Sequence, residues 1–177
     1  LDRHNKHRCY DENCVCEVVE KIVEAQNKVA QEATNCDISC HQSIRDLLSP
    51  TRENENTTIP FILYCKEGCK PFIASGVHKQ PIEGFPHDKY YACVETPVLR
   101  AKQFTKKGRC CVKVELLRPV NANGRPVADK GKDLCDFFHE KTPYKTIQFR
   151  ETGICLTLDL KDFVGISCLD ATRPLPK

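Results

Sequence analysis

Thirteen cysteines are spread along a chain of 177 residues, and that spread limits what the chain can be. They are Cys9, Cys14, Cys16, Cys36, Cys40, Cys65, Cys69, Cys93, Cys110, Cys111, Cys135, Cys155 and Cys168. The total is odd, so at least one thiol is free, metal-bound or joined to another molecule. Cysteine makes up about 7% of the chain, just short of the disulfide-scaffold range. A chain this long can bury a core without covalent staples. Metal sites use close cysteine pairs, and thiol catalysis uses one activated cysteine. Scatter over the whole length points instead to cross-linking, inside the fold or between copies of it.

The charge is nearly balanced, with 27 Lys and Arg against 24 Asp and Glu. That balance selects no polyanionic partner. Four basic residues lie between Lys102 and Arg109 without an aromatic platform beside them. They read as a solvated turn, and no nucleic-acid partner is expected. No apolar run approaches the roughly 18 residues of a membrane span. Leu1 to Tyr10 is polar and basic, unlike a signal peptide. Abundant cysteine suggests an oxidising compartment and the opening residues suggest a cytosolic one. Both hold if the protein is made inside a cell and oxidised later.

Four regions are expected. Residues 1–13 form a basic tail, 14–50 a helical segment, 59–170 a β-sandwich and 171–177 a short tail. In the helical segment Val15, Val18, Val19, Ile22, Val23, Val29, Ala30 and Ala33 fall on one face. Asn13 is a candidate N-cap, and Glu17–Lys21 and Glu24–Lys28 are favourable pairs four apart. Valine is a modest helix former, so packing must hold this helix. It lies against its own domain or against another subunit.

Beyond residue 58 the chain breaks into short strands separated by turn residues. Ile59–Cys65 and Lys70–Ser75 flank a turn at Lys66-Glu67-Gly68. Gly76 to Lys89 reads as a long loop with Pro81, Gly84 and Pro86. Further strands are expected at Tyr90–Glu95, Val98–Phe104, Cys110–Arg118, Thr146–Phe149, Ile154–Leu160 and Val164–Leu169. Asn121 to Gly131 is a turn-rich loop. About seven or eight short strands make a mainly β fold, an antiparallel sandwich with an N-terminal amphipathic helix.

Alternation assigns directions to some thiols. Cys110, Val112, Val114 and Leu116 share a core face, while Cys111 lies with Lys113 and Glu115 on a charged face. For the last two strands a three-residue turn at Lys161-Asp162-Phe163 pairs Leu160 with Val164, Leu158 with Ile166 and Leu156 with Cys168. A one-residue slip would reverse every side chain. This register turns Cys168 inward and Cys155 outward, without a bond between them.

Other chemistries find little support. Cys14, Cys16, Cys36, Cys40 and His41 are candidate zinc ligands, but none falls in the tight pairs structural zinc favours. No CxxC motif and no recognisable catalytic cysteine is present. His139-Glu140 lacks the second histidine of a zincin, and there is no phosphate-binding glycine loop or nucleophile-elbow serine. Neither an enzyme nor a cofactor is expected. The alternatives are a monomeric, secreted, disulfide-rich binding module and a zinc-binding protein.

Several segments resemble one family. Cys14-Val15-Cys16-Glu17-Val18-Val19-Glu20-Lys21-Ile22-Val23-Glu24-Ala25-Gln26 is similar to the opening of the spore coat protein Y/Z (CotY/CotZ) family, which includes ExsY-like exosporium proteins. Cys36 through Cys40-His41, then Leu47-Leu48-Ser49, resembles its next cysteine pair. Thr58-Ile59-Pro60-Phe61-Ile62-Leu63-Tyr64 resembles its first strand. Cys111 to Leu117 and Cys135 to Phe138 resemble later ones. Gly153 to Leu160, running on to Ile166-Ser167-Cys168-Leu169, resembles its end.

The resemblance covers roughly residues 14 to 170. It implies a structural protein of the spore surface, in the outer coat or exosporium, synthesised in the mother-cell cytoplasm. It implies self-assembly into disulfide-cross-linked sheets through rings such as hexamers, together with other coat and exosporium proteins. Cys14, Cys16, Cys36, Cys40, Cys111, Cys135, Cys155 and Cys168 carry over as cross-linking candidates, without assigned partners. Cys9, Cys65, Cys69, Cys93 and Cys110 are additional candidates. Cys65, Cys69 and the doubled Cys110 depart from the family pattern, as does the length of the Gly76–Lys89 segment. Asp162 and Val164 stand where the family usually carries cysteine.

Overall fold

The computed structural model describes residues 36–49, 55–105 and 110–177, with Val18, Ile22, residues 24–26 and Lys28 of the N-terminal segment. Those N-terminal residues are helical, and Val18 and Ile22, one turn apart, are both exposed. The rest of the expected helix, with Cys9, Cys14 and Cys16, lies outside the described residues. So does the turn expected around Lys106 to Gly108. The chain groups into two units, Leu1–Cys36 and Asp37–Lys177.

The larger unit is mainly β. Its strands are β1 (Phe61–Cys65), β2 (Ala74–Ile82), β3 (Phe85–Thr96), β4 (Leu99–Phe104), β5 (Cys111–Val120), β6 (Gln148–Asp159) and β7 (Phe163–Cys168). One sheet has the order β6-β5-β4-β1-β7, the other is the hairpin β2-β3, and every strand pair is antiparallel. The base of the hairpin lies over β5 and β6. A Cβ added to Gly76 would sit 2.5 Å from Ile154 Cγ2 and 3.4 Å from Leu116 Cδ2. Glycine is what lets these two layers close.

Alternation places Val112, Val114 and Leu116 of β5 inward, where they meet Phe61, Leu63, Ala74 and Leu99. Ile154, Leu156 and Leu158 of β6 pack against the same cluster. Beyond an irregularity between Glu115 and Leu117, a second set of apolar residues is buried: Val94, Val98, Leu117, Val120, Val127 and Phe137. Gly153, at φ +71°, takes the matching backbone kink in β6. This kink joins the two segments expected as separate strands into one, β6.

The expected pairing of the last two strands is corrected. β6 and β7 lie at opposite edges of the five-stranded sheet, and β7 pairs with β1: Phe61 faces Cys168 and Leu63 faces Ile166. The sheet must curl to allow this. Only a short 3-10 turn, Leu160–Asp162, links the two edges. Four residue steps reach about 14 Å at most, whereas five flat strands would span about 19 Å. The turn is tied to both sides, since Leu160 N–H donates to Cys110 O and Lys66 N–H to Asp162 O, each at 2.9 Å. The apolar pattern identified the inner face of β6 and the inward Cys168 but not the neighbour, and Val164 and Ile166, expected on the same inner face, are exposed. Leu156, Leu158 and Leu160 do pack on the core, and Cys168 is buried while Cys155 is exposed.

Two further expectations change. Gly76–Lys89 is not a loop: it forms most of the β2-β3 hairpin, in register from Ala74↔Thr96 to Pro81↔Lys89. Cys110 is not on the core face. It is exposed and precedes the first residue of β5.

Helix α1 (Cys40–Leu48) lies beside β7. Ser39 caps it by accepting from Gln42 N–H at 3.1 Å. Ser43 Oγ, buried, donates to Leu169 O at 2.8 Å, and Cys40 is disulfide-bonded to Cys168. The final residues run beside β6, where Leu175 N–H donates to Phe149 O and Glu151 N–H to Leu175 O.

Candidate functional site: the displayed thiols

Of the ten cysteines among the described residues, two form the Cys40–Cys168 bridge and eight are free. Six of the eight, Cys36, Cys69, Cys93, Cys110, Cys135 and Cys155, are exposed, and Cys65 and Cys111 are partly so. Their distribution follows from the fold. Cys40 and Cys168 sit where the helix meets the inner face, so they find each other. The others sit on outer faces, turns and strand starts.

Two share one surface. On the outer face of the large sheet Cys111 is opposite Asp159, Lys113 opposite Thr157 and Glu115 opposite Cys155. Residues directly opposite share a face. Cys111 and Cys155 therefore look out of the same polar surface, about 14 Å apart along the strands. The expected outward direction of Cys111 agrees with this.

An ion network stiffens that surface. Arg100 Nε donates to Glu115 Oε2 at 2.8 Å, and Arg100 Nη2 donates to Glu151 Oε1 at 2.8 Å. Gly153 N–H donates to Glu115 Oε1 at 3.0 Å, and Lys102 Nζ lies 3.4 Å from Glu115 Oε2. Glu115 is 3% exposed. Burial alone would raise its pKa. The Arg100 hydrogen bond, the Gly153 N–H and the neighbouring cations outweigh it and hold the pKa below the usual value. Burial would lower the Arg100 pKa, and Glu115 and Glu151 raise it instead. The network ties β4, β5 and β6 beneath the two thiols.

The remaining thiols sit on local scaffolds. Cys65 and Cys69 flank the turn after β1, where Cys65 N–H donates to Lys70 O at 2.9 Å and Cys69 holds φ +50°. Cys93 faces Val77 on the hairpin. Cys135 lies in a short 3-10 helix. There the Asp136 carboxylate accepts from Lys132 and Asp133 N–H at 2.8 and 3.0 Å. Those backbone hydrogen bonds lower the Asp136 pKa.

Sequence reasoning named all of these cysteines but not the Cys40–Cys168 pairing. A separation of 128 residues carries no local signal. Among the described residues no group of three or more His, Cys, Asp or Glu is arranged to hold a metal ion. Of the zinc candidates, Cys40 is in the disulfide, Cys36 is free, and Cys14 and Cys16 lie outside the described residues. No helix among the described residues is long and apolar enough to cross a membrane.

Among the described residues, a curled antiparallel β fold with one internal disulfide and many outward thiols defines a cysteine-rich β protein. The family model for spore coat protein Z matches residues 2–171, and the chain belongs to that family. It is 26% identical over 158 residues to spore coat protein Z of Bacillus subtilis (strain 168), with 89% of each chain covered. No solved structure matches. Membership supports a structural role at the spore surface.

Proposed function

We propose that this protein is a self-assembling building block of the outer spore coat or exosporium. Copies associate through complementary faces, and disulfides between copies then lock the resulting two-dimensional lattice. The observation that carries this reading is the division of the thiols among the described residues: one pair bonded inside, eight left free and mostly exposed. A self-contained disulfide module would bury its bridges inside the chain. Here Cys36, Cys65, Cys69, Cys93, Cys110, Cys111, Cys135 and Cys155 are available for partners, with Cys9, Cys14 and Cys16 as further candidates.

Each new bridge joins two thiols and releases two protons and two electrons to an oxidant such as dioxygen. Synthesis in the reducing mother cell would keep the subunits free until assembly. Head-to-tail contacts that close produce rings such as hexamers, and further contacts join rings into a sheet. Other coat and exosporium proteins are candidate partners through the same thiols. In this arrangement the chain is divided into a tail, 1–13, a helical segment, 14–50, that supplies much of one contact between copies, and a β domain, 59–170.

The test is electrophoresis in boiling detergent after air oxidation and thiol blocking, with and without reductant. A ladder that collapses on reduction to 20.1 kDa supports cross-linking between copies. A monomer in both lanes with most thiols consumed overturns it in favour of internal pairing.

A further inference from the structure

The hairpin β2-β3 packs on the large sheet at one end. Only its base is buried, at Ala74, Val94 and Thr96. From Val77 to Tyr91 nearly every residue is exposed, His78 and Gln80 being half-buried. An isolated two-stranded hairpin is marginal in water, so this arm gains from having something to lie against.

Its two faces differ. Val77 pairs with Cys93, Lys79 with Tyr91 and Pro81 with Lys89, so these six residues share one face. Tyr91 is 70% and Val77 60% exposed, and Lys79 Nζ stands 5.1 Å from the Tyr91 ring centroid. These six residues include two lysines and no carboxylate, and the next pair on the same face, Ser75↔Glu95, adds one carboxylate toward the base. The tip adds Ile82 and Phe85, also exposed. At about 200 Å² per large side chain, the arm presents on the order of 500 Å² of apolar surface. That is near the largest patch of an ordinary monomer and a large part of the ~800 Å² one partner gives to a specific interface.

The same chain has a matching receptor. Leu63, Leu160, Phe163, Val164 and Ile166 line an apolar cleft of about 290 Å³ at the β7 edge. Val164 and Ile166 remain 56% exposed there, although Ile166 faces Leu63 across the strands. Among the described strands β7 pairs with β1 alone, which makes it an edge strand of the sheet. A second cleft adjoins through Phe163, and its charged lining is Lys66, Glu67, Asp159 and Asp162. One cation against three carboxylates gives −2 there, still −1 with Lys161 of the same turn counted. The arm face carries +2 over Val77 to Cys93, still +1 with Glu95 of the same face counted.

We propose that the Val77–Tyr91 arm of one copy docks, through the face of Val77, Lys79, Lys89 and Tyr91, into the Leu63–Phe163–Ile166 cleft and acidic rim of a second copy. This rests on the reading that copies associate, and it names the non-covalent contact that precedes disulfide locking. The contact is heterologous, since each subunit uses one surface to give and another to receive. It therefore propagates from copy to copy.

The experiment is sedimentation velocity of the full chain in reductant, so that no disulfide contributes. The variants are Tyr91→Asp on the arm and Ile166→Asp in the cleft. Wild type is expected to form oligomers that loosen with added salt. Each variant alone is expected to be monomeric. Their equimolar mixture is expected to stop at dimers, because one intact arm and one intact cleft remain, and such rescue shows that both variants are folded. Replacing residues 79–89 by a short turn should mimic Tyr91→Asp. Variants that associate like wild type, or a mixture that stays monomeric, would overturn the arm contact. A wild type monomeric in reductant that still forms the oxidised ladder would overturn the arm and leave cross-linked assembly standing. Absence of both would remove the assembly reading as well.

Discussion

Cys40, the first residue of α1, and Cys168, the last residue of β7, are joined by a disulfide across 128 residues of sequence. The bond fastens the helix to the strand that completes the sheet. Both residues pack on the hydrophobic core. This bridge is a clamp within the subunit, unlike the thiols that face outward.

Cys40→Ser should therefore destabilise the oxidised monomer without removing cross-links between copies. In the chain-entropy account a loop of this length contributes on the order of 5 kcal/mol. Denaturant unfolding of a thiol-blocked monomer should show the loss in Cys40→Ser, and wild type in reductant should show the same loss. An oxidised ladder that vanished in Cys40→Ser would mean that the clamp also builds the contact surface.

Cys111→Ser and Cys155→Ser should still associate in reductant. After oxidation each should dissociate more readily in detergent than wild type, because one lock on the outer sheet face is gone. A variant unable to associate at all would show that the thiol makes the contact instead of securing it.

The Arg100–Glu115 pair predicts an acid limit. Folding lowers the Glu115 pKa, so its contribution is full above its ordinary value of 4.5. It declines as pH falls through the lower folded value. Glu115→Gln should cost about 3 kcal/mol at neutral pH, because it leaves Arg100 partly unpaired. It should also flatten the decline in stability below pH 4.5. Chemical denaturation of both proteins between neutral and acid pH would reveal it. An unchanged acid limb in the variant would assign the limb to other carboxylates.

Gly76→Val should force the hairpin base off the large sheet, since Ile154 Cγ2 occupies the position its Cβ needs. Overpacking of this kind costs about 1–3 kcal/mol. Ile154→Ala combined with Gly76→Val should recover part of that cost. Thermal melts of the single and double variants measure the coupling, and simple additivity would deny the contact.

The β character, the strand alternation and the list of thiols were legible because each is a local property. Val112, Val114 and Leu116 alternate with charged residues, and a period of two admits one reading. Parity says which way Leu156, Leu158 and Leu160 point, but not which strand lies beside them. Curling places β7 next to β1, and only long-range packing decides that. The arm was hidden for another reason. Pro81, Gly84 and Pro86 are loop residues by composition, yet a two-stranded hairpin is all edge and tolerates proline. Its strands also lack an apolar alternation, because most of the arm covers no core within the subunit.

The β1-β7 pairing also sets an order of events. The cleft is assembled from Leu63 near the start of the sheet and Leu160 to Ile166 at its end. A nascent chain has its arm long before it has its receptor. Under the proposed arm contact, a chain whose β7 has not yet closed against β1 could reach for a neighbour but could not be held by one. Any chain cut short before β7 would lack both the cleft and the Cys168 clamp. In the proposed assembly it would terminate a growing array instead of extending it, and completion of the last strand would be the step that makes a subunit fit to be built upon.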